Sequence, residues 1–183
     1  MPLRRDIQLQ GVEIVTGRLI LRPTSIIDLD PITREFSERI TRYMTPPAAQ
    51  SSADVALFIA DSIEGLNNNT NLQLTVVSRE QPGQFVGCLG FYHPETRTPE
   101  LGIWIAEQFH RRGLGLEAIE ALCAWAAKEI DCDYLEYPVD RTNQPSRRIP
   151  ESLGAEIEHE YDRITVDGRT LNLLEYRIYP ETL

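Results

Sequence analysis

Cysteine and histidine are scarce in this chain of 183 residues, with three of each, at 88, 123 and 132 and at 93, 110 and 159. The cysteines are odd in number and neither residue type shows paired ligand spacing, so neither a disulfide framework nor a metal site is expected. The cysteines read as reduced and structural. Positive charge is short as well. Eighteen Lys and Arg against 28 Asp and Glu leave a formal net charge of −10, which argues against sequence-independent nucleic-acid binding. An acidic chain would suit a cationic partner, although acidity also serves solubility. Long apolar runs are missing too. No stretch is long enough to span a bilayer, and residues 1–10 are polar and lack the apolar centre of a secretory signal. The expected address is cytoplasmic, with no membrane and no nucleic-acid partner. There is no G-x-x-x-x-G-K-[ST], the glycine pattern is too short for a dinucleotide fingerprint, and no repeat or linker interrupts the chain.

What is present fits one domain, 1–183, large enough to bury a core without staples. Residues 12–23 read as a strand around Leu19 and Leu21, bounded by Gly17 and Pro23. Ser25 and Asp28 have capping-box spacing, and Ile26, Leu29, Ile32, Phe36 and Ile40 follow at helical intervals, with Pro31 early enough to be tolerated. After a loop at residues 45–50, Ser51 and Asp54 open a second helix with Val55, Phe58, Ile59, Ile63 and Leu66 on its apolar face. Residues 72–77, 84–92 and 100–106 form a three-stranded meander. Residues 113–130 are the clearest helix, burying Ala118, Ile119, Leu122, Cys123, Ala126 and Ile130. A strand at 134–139 precedes a short helix at 144–153, which Pro150 should kink or interrupt and Gly154 should end. Strands at 156–166 and 170–179 meet at Asp167–Gly168, a strong hairpin dipeptide. The order β-α-α-β-β-β-α-β-α-β-β is a mixed α/β (α+β) arrangement around a central sheet.

The stretch Phe109-His110-Arg111-Arg112-Gly113-Leu114-Gly115-Leu116 joins the third meander strand to the long helix. Glycines there let the backbone approach a ligand, and the first turn of a helix offers unpaired N–H groups at the positive end of its dipole, a ready site for phosphate oxygens. Read alone, the same residues are also a glycine-rich turn with two solvated arginines.

Three stretches together resemble the GNAT superfamily of N-acetyltransferases, especially the branch of ribosomal-protein N-terminal acetylases. They are Thr16-Gly17-Arg18-Leu19-Ile20-Leu21-Arg22-Pro23; Glu100-Leu101-Gly102-Ile103-Trp104-Ile105-Ala106 running through the glycine junction to Glu117-Ala118; and Asn143-Gln144-Pro145-Ser146-Arg147-Arg148-Ile149 with Leu153-Gly154. Their order and spacing cover residues 16–176. Three positions depart from the family pattern: His110 stands where Gln or Arg is usual, Asn172 where Asp is frequent, and Pro150 makes the local helix irregular.

The resemblance implies a GNAT-like mixed central sheet and acetyl-coenzyme A as cosubstrate. Backbone groups of Ile103, Trp104 and Ile105 would pair with the pantetheine arm, and His110, Arg111, Arg112, Gly113, Leu114, Gly115 and Leu116 would hold the pyrophosphate. Asn143 would hydrogen-bond the cofactor and Ser146 would face its sulfur, although residue type alone favours helix capping for both. Glu100, at the start of the strand that would hold the cofactor, is the candidate base, against a reading as a solvated strand-end carboxylate. Ser146 is the candidate acid, with Tyr137 and Tyr176 as rivals that also suit packing. Asp140 and Glu136 could orient an amine but read as solvated. Trp104, Phe91, Cys88 and Cys123 read as core residues, and no His is placed to activate a cysteine nucleophile. The acceptor, an amine-bearing protein or small molecule, would enter between residues 41–50 and the hairpin at 162–172. A non-catalytic acetyl-coenzyme A sensor of the same fold is the alternative from another class, and a nucleotide enzyme using the junction for ATP is a third. The chain is expected to be a monomer or a homodimer.

Overall fold

The computed structural model describes residues 9–183, so most of the polar N-terminal segment discussed above, residues 1–8, lies outside the described residues. Residues 12–23 form a hairpin rather than one strand. β1 (Ile14–Val15) turns through Thr16, Gly17 and Arg18 into β2 (Leu19–Pro23), with Ile14 opposite Leu21. Thr16 makes the turn: its amide donates to the Leu19 carbonyl and its hydroxyl oxygen accepts from the Leu19 amide, each at 2.9 Å. A side chain that satisfies nearby backbone in this way ends extended structure.

The first helical stretch is likewise divided, into a single 3-10 turn at Ile26–Asp28, α1 (Leu29–Glu35) and α2 (Glu38–Thr41). Its capping box at Ser25 and Asp28 forms as expected. Phe36 leaves helical geometry, and its ring packs on Trp104 with centroids 5.1 Å apart, so tertiary packing overrides the local periodicity. Ser37 then caps α2. α3 (Ser52–Asn67) opens with the Ser51–Asp54 capping box and buries Val55, Ile59, Ser62 and Gly65. Phe58 and Ile63, expected on that face, are more than a third exposed. The helix rolls until Gly65 meets β3, where a Cβ would stand 2.7 Å from that of Asn71.

β3 (Asn71–Ser78), β4 (Phe85–Tyr92) and β5 (Glu100–Ile105) form the antiparallel meander. α4 (Leu114–Glu129) buries the face read from its periodicity, and β6 (Leu135–Asp140) follows. α5 (Gln144–Ser152) is not interrupted by Pro150, which is buried near its end; the amides of Leu153 and Ala155 both bond the Pro150 carbonyl at 3.0 Å and close the turn around it. β7 (Glu156–Ile164) and β8 (Thr170–Ile178) form the last hairpin, turning at Gly168 with φ +83°.

The eight strands make one sheet in the order β1-β2-β3-β4-β5-β6-β8-β7. The larger apolar cluster gathers α4 and the strand residues facing it; a smaller one joins Ile32, Val55, Ile59, Phe85 and Cys88, with Trp104 packed against it. Every neighbouring pair is antiparallel except β5 and β6, which are parallel and share a single register pair, Glu100 with Glu136. Beyond that pair the strands part. This splay positions the site.

Candidate active site

β4 and β5 alternate their bonding in the usual antiparallel manner. The Ala106 amide bonds the Val86 carbonyl at 2.8 Å, so the backbone groups of Ile103 and Ile105 point the other way, into the gap left by β6. Their side chains pack against the larger core, and that of Trp104 lies on the smaller one between Phe36 and Phe85. An unpaired strand edge beside a gap is a template for an extended ligand with its own amide groups.

The glycine junction lies at the far end of that edge. A 3-10 turn at Glu107–Phe109 leads to two left-handed residues, Arg111 with φ +60° and Gly113 with φ +72°, and α4 starts at Leu114. Such a conformation suits glycine and costs other residues free energy, which marks Arg111 as held by its surroundings. Gly115 sits close to α5: a Cβ there would come within 3.1 Å of Ile149 Cδ1, which would have to yield by a few tenths of an ångström. His110 Nε2 donates to the Ile105 carbonyl at 2.6 Å, tying the junction to the strand end. The family position that departs from the usual residue thus has a local structural task.

The junction is also stapled to the β1–β2 turn. Glu117, in the first turn of α4, accepts from the Thr16 hydroxyl (2.5 Å), the Arg18 amide (2.9 Å) and Arg18 Nε (2.6 Å), while Arg18 Nη1 donates to the Arg112 carbonyl at 2.9 Å. Partial burial opposes the Glu117 charge, but these donors prevail and hold its pKa below the usual carboxylate value. Arg111 and Arg112 are exposed beside them.

At the opposite end of the splay lies a cavity of about 450 Å³. Its walls bring together Glu100 of β5, Tyr137 of β6, Asn143 and Ser146 of α5, the loop residues Tyr43 to Pro46, Tyr92 of β4, and Arg163, Leu171 and Leu173 of the last hairpin. Glu100 is half-buried rather than solvated. Burial raises its pKa above the usual value, and Arg163 Nη2, 3.7 Å from Oε2, pulls it partway back. The Tyr137 hydroxyl is 2.8 Å from Ser146 Oγ, so the candidate acid and one rival form a single hydrogen-bonded pair. Burial pushes the Tyr137 phenol well above its ordinary value, and it stays protonated. Asn143 performs its capping role, its Oδ1 accepting from the Ser146 amide at 3.4 Å, and also lines the cavity.

Other candidates are tied up in bonds of their own, although Asp140 also lines the cavity. Tyr176 donates to Glu151 at 2.6 Å and accepts from Arg147 Nε at 3.1 Å, a buried brace between β8 and α5 outside the cavity lining. Asp140 is buried, not solvated: Oδ1 accepts from the Thr142 amide and hydroxyl, and Oδ2 from the Asn172 amide. Cys88 and Cys123 are core residues; burial pushes the Cys123 thiol up to about 12, and that of Cys88 further, so neither is a ready thiolate. Among the described residues no group of three or more possible metal ligands gathers, and no helix is long and apolar enough to cross a membrane. Sequence reasoning missed Tyr92 and Arg163. Tyr92 carries no motif, and Arg163 is visible only as one charge within the 162–172 hairpin.

A parallel pair that splays beside a glycine-opened helix makes one cleft suited to an extended, phosphate-bearing ligand. Residues 18–156 match the Acetyltransferase (GNAT) domain, more than half of the chain, and the chain belongs to the GNAT family of acetyltransferases. It is therefore an enzyme, an acyltransferase. It is 25% identical over 175 residues to the uncharacterized N-acetyltransferase p20 of Bacillus licheniformis, covering 90% of this chain and 94% of that one. Its fold resembles the ribosomal L7/L12 α-N-protein acetyltransferase RimL in complex with coenzyme A, with a TM-score of 0.80 at 15% identity over 92% and 98% of the two chains. The Salmonella typhimurium acetyltransferase that modifies the N-terminal serine of ribosomal protein L7/L12 gives a TM-score of 0.80 at 14% identity over 92% and 99%. At such identities the likeness to solved structures is one of fold.

Proposed function

We propose that this single-domain enzyme moves the acetyl group of acetyl-coenzyme A directly to a primary amine, the α-amine of a protein N-terminus or that of a small molecule. The observation that carries the reading is the β5–β6 splay, with a phosphate-suited helix start at one end and a carboxylate beside a hydroxyl pair at the other. The residues present fit the coenzyme. Ile103 leaves its backbone groups and Ile105 its amide on the gap, the left-handed Arg111 and Gly113 shape the approach to α4, and Gly115 packs closely on Ile149. RimL, similar in fold, is known in complex with coenzyme A, which supports the same cosubstrate here. The protein substrate of the Salmonella typhimurium relative supports a protein N-terminus as one acceptor class.

Bound coenzyme supplies the activated acyl group. The chain's task is placement and proton movement. Glu100 takes the proton of the incoming amine, directly or through one water; its raised pKa makes it a stronger base than an ordinary carboxylate. The hydroxyl pair Ser146–Tyr137 holds a proton at the cavity wall and can pass it from oxygen to oxygen. An α-amine with a pKa of about 8 reaches its neutral form more readily than an alkyl amine at about 10, which favours chain N-termini near neutral pH.

Incubation of the purified protein with acetyl-coenzyme A and a panel of peptides and amines, following free thiol and product mass, tests this. Acetylated product with stoichiometric thiol release is expected. Tight coenzyme binding without release across the panel would instead support a sensor, and ATP binding that coenzyme A fails to displace would support a nucleotide enzyme.

A further inference from the structure

Arg169, at the exit of the β7–β8 turn, reaches across to the chain that follows α2. Its Nη1 donates to the carbonyls of Arg42 (2.8 Å) and Thr41 (3.4 Å), and its Nη2 to that of Met44 (3.1 Å). The third nitrogen, Nε, is held by Asp167 Oδ2 at 2.8 Å, and Asp167 Oδ1 accepts from the Thr165 hydroxyl at 2.5 Å. The guanidinium and that hydroxyl keep the Asp167 carboxyl below its usual range, so it is charged at neutral pH. Two nitrogens of one side chain thus join segments more than 120 positions apart, while the third is held within its own turn.

The chemistry of the joint requires arginine. The last carbonyls of a helix have no partners within it, and α2 is only four residues long. A guanidinium is a planar fork of five N–H donors and can spread over three carbonyls and a carboxylate, whereas a lysine presents its donors from one nitrogen. What the fork holds is a wall of the cavity, Tyr43 to Pro46, and the strands on either side of the turn contribute Arg163 and Leu171 to the facing wall.

We propose that Arg169 is a positioning residue for the acceptor. It straps the 41–46 loop to the last hairpin and so sets the width of the cavity before the amine arrives. The proposal rests on the acetyl-transfer reading above. Arg169 does not touch the reacting atoms, and its bonds run to the acceptor loop rather than to the glycine junction, so its effect falls on the acceptor and not on the coenzyme. Without the strap the loop must be ordered by the acceptor itself, which lowers apparent affinity.

The test combines kinetics with hydrogen exchange on the full chain. In Arg169→Met the acceptor KM should rise about tenfold while the KM for acetyl-coenzyme A stays within about twofold. Amides of residues 41–47 should exchange faster, with those of α4 unchanged. Arg169→Lys should restore only part of either readout, and Asp167→Asn, which removes the charge that holds Nε but keeps the guanidinium, should give a smaller rise. Unchanged exchange at 41–47 in folded variants, an unchanged acceptor KM, or equal increases in both KM values would overturn the strap. If the wild type acetylates nothing on the panel, the acetyl-transfer reading fails, and the exchange measurement alone then decides whether Arg169 holds the loop. Should Arg169→Met not fold, the lysine and asparagine variants carry the same comparison.

Discussion

The Tyr137 hydroxyl stands 2.8 Å from Ser146 Oγ across the join of β6 and α5. Because the phenol is buried, neither oxygen acts independently of the other: removing one changes the proton inventory of both. Ser146→Ala should lower kcat by roughly a hundredfold with little change in the KM for acetyl-coenzyme A. Tyr137→Phe, which preserves the ring, should act in the same direction, and the double variant should be no worse than the poorer single one. Additive losses in steady-state kinetics would separate the two groups.

Glu100 makes a prediction about pH. Burial raises its pKa and Arg163 lowers it, so a base at this position works once pH exceeds a value above the ordinary carboxylate range. Removing the cation in Arg163→Met should raise that value further and move the acid limb of the rate profile to higher pH. The amine titrates as well, but equally in both proteins, so the difference between their profiles belongs to Glu100. Glu100→Gln should lower kcat and leave coenzyme affinity unchanged; wild-type turnover across pH would remove Glu100 from the reaction.

Gly113 occupies the left-handed region, which costs an alanine about 1 kcal/mol. Gly113→Ala should therefore fold with slightly lower stability and bind coenzyme A more weakly. Gly113→Glu should bind weaker still, since it adds a negative charge at the proposed phosphate site. Calorimetric titration with coenzyme A distinguishes these outcomes, and an unchanged affinity in folded Gly113→Glu would refute the cradle.

The Glu117 staple should appear in acid stability. Its folded pKa lies below the unfolded value of about 4.3, so its contribution is complete above that value and is lost as pH falls through the folded one. Thermal melts at pH 7 and at about pH 3 should therefore show a larger fall in Tm for the wild type than for Glu117→Gln. The variant should be the less stable of the two at neutral pH.

The split of residues 12–23 into β1 and β2 shows where local reading stops. Leu19 and Leu21 mark extended chain correctly, but the turn comes from Thr16 bonding back to Leu19, and its position is held by Glu117, about a hundred residues away. Phe36 is similar: helical spacing continues through it, and a contact with Trp104 takes it out of the helix. The glycine junction, by contrast, was legible because its signals are local, with left-handed φ at Gly113 and a helix start next to it.

The order of elements from α3 onward, the meander, the long helix with its buried face and the position of the glycine junction were all determined by the sequence itself. Periodicity, caps and turn residues act over a few positions and leave their pattern in the chain. Tertiary structure alone decided that β5 and β6 share one pair and part, that Tyr137 rather than Tyr176 meets Ser146, that Arg163 meets Glu100 and that Arg169 bonds the chain after α2. Those relationships depend on how distant strands are ordered in the sheet and on what burial does to charge, and neither leaves a local trace in the order of residues.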